Sequence, residues 1–94
     1  MREAQILESL EDIAKKVSIR IRRENFRGNG GLCRVRGESF IIINRYCTPG
    51  EQIQVLARSL AGVDLDGVYI APRVREEIDR WQGVQEPDDQ LRAG

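Results

Sequence analysis

Four arginines, Arg20, Arg22, Arg34 and Arg36, stand at alternate positions within two runs whose intervening residues are largely apolar. A spacing of two places each pair on one side of an extended strand. Pairing of the two strands would gather all four on one solvent face. Such a face can grip a nucleic-acid backbone, with steep salt dependence, or an acidic protein surface. The patch has no interleaved aromatic to stack bases, and the isoelectric point near 6.3 is far from that of a typical nucleic-acid binder.

The remaining reactive side chains offer less. Cys33 and Cys47 are not spaced as a CxxC pair, and the 94 residues contain no histidine. A tetrahedral zinc site needs about four ligands, and a thiol nucleophile needs a base to activate it; neither is supplied. Without a secretory signal the thiols are expected to stay reduced, and Cys33, alternating with Val35, reads as a small buried apolar residue. Gly28-Asn29-Gly30-Gly31, between Arg27 and Arg34, could offer backbone amides to a phosphate. It lacks the lysine and the Ser/Thr of a Walker loop, and a glycine-rich connection between strands more simply supplies a turn with positive φ. Asp64-Leu65-Asp66-Gly67 lacks the glycine and the glutamate that a calcium loop places at its sixth and twelfth positions, and reads as a turn. Glu76, Glu77 and Asp79 read as a solvated helix face.

Charge is balanced overall, with 15 basic and 15 acidic residues, but unevenly placed. Residues 18–47 carry seven arginines against Glu24 and Glu38, a balance of +5; residues 48–94 carry nine acids against five arginines, a balance of −4. Either the acidic half meets the arginine face, within the chain or across a dimer, or a partner does. No run approaches the roughly 18 apolar residues of a membrane span, and the N-terminus opens an acidic amphipathic helix in place of a signal peptide. A cytoplasmic protein is expected.

The elements that position these groups follow from periodicity. Residues 3–16 place Ile6, Leu7, Leu10, Ile13 and Ala14 on one stripe, with acids early and Lys15-Lys16 last, which predicts an amphipathic helix. Val17, Ile19 and Ile21 then alternate with polar residues as a strand, and Leu32–Arg36 alternate again after the glycine loop. Gly37-Glu38 is spaced as a type II′ hairpin turn. Phe40-Ile41-Ile42-Ile43 is apolar on both faces and is expected to be central and covered on both sides. Thr48-Pro49-Gly50-Glu51 is a capping-box helix start, followed by the stripe Ile53, Leu56, Ala57, Leu60 and a stop at Gly62. Pro72 opens a last helix bearing Val74, Ile78 and Trp81. The expected fold is α+β: a small antiparallel meander of three strands, or four with a short strand at Val68–Ile70, packed by N-terminal, central and C-terminal helices. Residues 1–82 form one domain and 83–94 a loose polar tail.

Gly31-Leu32, Gly37, Ile41-Ile42-Ile43-Asn44, Thr48 and Leu56–Gly62 fall in the order seen in a known family. Over roughly residues 4–62 the chain resembles the ImmA/IrrE-type zinc metallopeptidases, and also short bacterial proteins with a Gly-Gly-Leu-Cys-Arg core. The resemblance implies a helix that carries His-Glu-x-x-His. Laid on that pattern, Arg58 and Gly62 occupy the metal-histidine places and Ser59 that of the catalytic glutamate, so a degenerate, metal-free relative is implied. We therefore expect no enzyme, no metal and no cofactor. The favoured role is a protein-interaction or regulatory module, with a protein partner or a homodimer on the arginine face. The alternative is a small nucleic-acid-binding protein using the same arginines.

Overall fold

A computed structural model of the chain describes residues 1–83. Three helices and three strands follow one another as α1 (Glu3–Lys16), β1 (Ile19–Glu24), β2 (Gly30–Val35), β3 (Glu38–Asn44), α2 (Pro49–Leu60) and α3 (Pro72–Asp79). The α+β class is as expected: α1 and α2 lie against the sheet, and α3 packs on those two helices. Val68–Ile70 forms no strand. All of the predicted tail, 83–94, except Gly83 lies outside the described residues.

The local signals act as their chemistry dictates. Thr48 Oγ1 accepts from the Glu51 amide at 3.2 Å, and the Glu51 carboxylate accepts from the Thr48 amide at 2.8 Å. Pro49 has no N–H, so two of the three orphan donors at the start of α2 are thereby satisfied. The stripes of α1 and α2 meet over the sheet, where Leu10, Ala14, Ile41, Ile43, Leu56 and Leu60 are fully buried. Val74 and Ile78 of α3 join the same core. Glu77 is no solvated residue: it is buried, with its carboxylate held between Arg73 at 2.6 Å and Arg80 at 3.3 Å.

The sheet is mixed, not an antiparallel meander. Its order is β1-β3-β2, with β1 parallel to β3 and β2 antiparallel to it. In a meander β2 would be central, but β2 carries Gly30, Gly31 and Arg34 while β3 carries the apolar run. Putting the most apolar strand in the middle buries more surface. The arch of residues 25–29 makes this possible by spanning two strand spacings, about 9.6 Å, across the end of β3. Asn44 ties the arch down. Its amide nitrogen donates to the carbonyls of Phe26 and Gly28 at 2.8 and 2.7 Å, its side-chain oxygen accepts from the Tyr46 amide at 2.9 Å, and its own backbone amide donates to Asn29 at 2.8 Å.

The hairpin turn also falls one residue earlier than predicted. Arg36 and Gly37 both have positive φ, 52° and 84°, the pattern of a type I′ turn, whose twist matches that of the flanking strands. Gly30 lies within β2 and not in a loop. A Cβ there would sit 1.9 Å from the Ile42 carbonyl oxygen, so only glycine lets β2 approach β3 at this point.

Candidate functional site

Register decides which arginines share a face. Ile19, Ile21 and Arg23 of β1 are level with Ser39, Ile41 and Ile43 of β3, and Leu32 and Arg34 of β2 with Ile41 and Ser39. This is the side on which the helices pack. The opposite side aligns Arg20 with Phe40 and Cys33, and Arg22 with Ile42 and Gly31. The four arginines are therefore not gathered on one face. Arg20 and Arg22 lie on the open side, Arg34 on the helix side, and Arg36 in the turn. One-residue displacement of a strand exchanges its faces, and β2 runs out of phase with the expected pairing.

The open side is a mixed surface. The Arg22 guanidinium lies 5.8 Å from the centre of the Phe40 ring and 2.9 Å from the Glu24 carboxylate. Phe40, Ile42 and Cys33 are half-buried and Val35 is 52% exposed. The missing aromatic of the sequence reading is thus present, because Phe40 belongs to β3 and reaches this surface only through the β1–β3 pairing. The expected second cover over β3 is absent among the described residues.

Arg23, one position away, has a different job. It donates to the Glu11 carboxylate of α1 and to Gln52 Oε1 of α2 at 2.9 and 3.2 Å, joining both helices to β1. Among the described residues none of the arginines of 18–47 forms an ion pair with an acid of the C-terminal half; Arg73 and Arg80 pair with Glu76 and Glu77 instead. Arg20 and Arg34 are exposed, with no ion pair among the described residues.

A broad groove of about 1130 Å³ is lined by Val17–Arg23 together with Glu11, Lys15, Arg34 and Gly37–Phe40, so that it follows β1 and reaches across the start of β3 to Arg34 of β2. Five cations, Lys15, Arg20, Arg22, Arg23 and Arg34, face two carboxylates, Glu11 and Glu38. Sequence periodicity gave no sign of this groove, since it assembles α1, β1 and the hairpin from three separate segments.

The cysteines make poor nucleophiles. Cys33 lies on the open side and is half-buried, not enclosed as predicted, while Cys47 is buried with its Sγ 3.7 Å from the Asn29 carbonyl oxygen. Burial raises both thiols above the ordinary 9.0; for Cys47 the Glu51 charge adds to it, and for Cys33 Arg22 partly opposes it. Thiols held neutral this way are inert near pH 7. No group of three potential metal-ligating residues occurs among the described residues. The aspartate turn is held by Asp64 Oδ1 accepting from the Asp66 amide at 3.0 Å, an Asx turn closed by Gly67 at φ +83°.

At the positions that the metallopeptidase resemblance assigns to metal binding, Arg58 donates to the Gly30 carbonyl at 2.7 Å and lies 6.0 Å from the Trp81 ring centre. Ser59 is buried in the core and Gly62 follows the end of α2. No family model, curated protein or solved structure matches the chain. No helix among the described residues is long and apolar enough to cross a membrane.

Proposed function

We propose that the protein is a non-enzymatic interaction module whose open sheet face docks a separate protein with an apolar centre and an acidic rim. The observation that carries this is a sheet with helices, among the described residues, on one side only, which leaves Val35 exposed and Phe40, Ile42 and Cys33 half-buried beside Arg20 and Arg22. This apolar patch is bordered on the β1 side by Arg20, which has no ion pair among the described residues, and by Arg22, which pairs with Glu24. An apolar surface with such a basic border fits a complementary protein better than water. A second copy is disfavoured as occupant. A two-fold contact through this face would bring each arginine pair toward its own image, and Glu76 and Glu77 of α3 are already engaged by Arg73 and Arg80. A nucleic acid is disfavoured because Arg22 already occupies the Phe40 ring on which a base would stack.

Quantitative affinity purification, comparing the wild type with Val35→Asp/Phe40→Asp and with the distant Arg75→Ala, tests the assignment. A defined protein should be enriched by the wild type and by Arg75→Ala, be lost with the double variant, and bind again when both components are purified. Enrichment that survives the double variant would sink the proposal. So would enrichment abolished by nuclease treatment, which would favour nucleic acid, or a salt-sensitive dimer of the chain alone in light scattering.

A further inference from the structure

We propose that β1 is an acceptor edge: a partner's extended segment, alternating acidic and apolar residues, adds to the sheet as a fourth strand in the basic groove. This rests on the reading of the sheet as an interaction surface, and it names the chemistry of the partner.

The backbone supplies the first part. The Arg45 amide donates to the Glu24 carbonyl at 2.9 Å, extending the β1–β3 ladder. In an extended strand the N–H and C=O of one residue point the same way, and the direction alternates along the chain. Glu24, Arg22 and Arg20 therefore bond toward β3, while Ile19, Ile21 and Arg23 direct their groups outward. Among the described residues the only hydrogen bond to these outward groups is a long 3.5 Å approach of the Arg45 guanidinium to the Arg23 carbonyl. A row of unpaired backbone groups is a template for another strand.

Space and charge supply the second part. The groove of about 1130 Å³ is lined by every residue from Val17 to Arg23. An added strand would alternate its side chains between the two sides of the sheet. One set would lie beside Ile19 and Ile21, which are apolar; the other would lie beside Arg20 and Arg22. An acid–apolar alternation satisfies both rows. The same arginines oppose pairing of β1 with β1 of another copy, where like charges would stand opposite each other. Nucleic acid would meet the cations but leave the outward N–H and C=O groups of Ile19 and Ile21 without a matching ladder.

The test uses the full chain and a fluorescein-labelled peptide alternating Glu with Val and Ile over eight residues, read by fluorescence anisotropy. Three controls accompany it: a peptide with Lys in place of Glu, one with Pro at every second position, and a single-stranded oligonucleotide of similar charge. We expect binding of the acidic peptide alone. Arg20→Glu/Arg22→Glu should weaken it at least tenfold, Arg75→Glu should leave it unchanged, and bound peptide should slow hydrogen exchange of the Ile19 and Ile21 amides. Equal binding of the proline peptide, no change in exchange at those amides, a stronger response to the oligonucleotide, or no binding of the acidic peptide at millimolar concentration would each overturn the proposal. Failure here leaves the open-face assignment intact, because that is also read through Val35, which does not line the groove.

Discussion

Replacing Gly30 with alanine tests the central packing of the sheet. Its new Cβ would stand 1.9 Å from the Ile42 carbonyl oxygen and 2.9 Å from the Ile42 carbonyl carbon, at a backbone φ of +129°. Real Cβ atoms essentially never come within 3.0 Å, so β2 must withdraw by at least about 1.1 Å at this point. That withdrawal strains the Arg58 bond to the Gly30 carbonyl and the adjoining Asn44–Asn29 bond, each worth about 0.5–1.5 kcal/mol net. The positive φ adds roughly 1–2 kcal/mol. The total, ~2–5 kcal/mol, is a large share of the ~5–14 kcal/mol expected for a domain of this size. Urea denaturation, monitored by Trp81 fluorescence, reads the difference directly. Gly28→Ala is the control: φ is +97° but nothing lies within 4 Å of its Cβ, so only the conformational cost applies. Should Gly30→Ala prove no more destabilising than Gly28→Ala, the close approach of β2 to β3 is refuted.

Leu56→Ala, at a fully buried site, should cost about 2–5 kcal/mol by the same denaturation measurement, and a loss below ~0.5 kcal/mol would mean that α2 does not pack there. Asn44→Asp should destabilise more than Asn44→Ala, since a carboxylate would face the Phe26 and Gly28 carbonyls that the amide now donates to; equal melting temperatures would contradict this. Both thiols should react slowly with a maleimide at pH 7 in the native protein and quickly in urea. Their pKa values are raised on folding, so the stability they contribute is complete below the unfolded value near 9.0 and is lost as pH rises through the folded values; native stability that increases across that range would reverse the sign. Elemental analysis after dialysis should find no stoichiometric zinc, because arginine, serine and glycine stand at 58, 59 and 62; about one zinc per chain would overturn this.

Much of the fold was legible in the sequence. The period of 3.6 marks α1 from Glu3 to Lys16, and the capping chemistry of Thr48 and Glu51 marks the start of α2, because helix formation and capping are set by residues within a few positions of each other. The absence of histidine settled that no thiol–histidine pair could form. The run Phe40–Ile43 announced a central strand, and that statement already conflicts with a meander, in which the strand between the other two is β2. Its resolution, β3 inserted between β1 and β2, needs the arch at 25–29 and the anchor at Asn44, two segments separated in sequence by the whole of β2 and the hairpin. The surface depended on tertiary structure even more. Alternation fixes which residues of one strand share a side, but only register between strands decides which side meets which. That register separated Arg34 and Arg36 from Arg20 and Arg22, brought Phe40 beneath Arg22, and turned Arg23 toward Glu11 and Gln52. The sequence by itself determined the helices and strands, whose signals lie within a few residues of one another. Which arginines stand together, and which edge of the sheet is left open, was decided by long-range pairing.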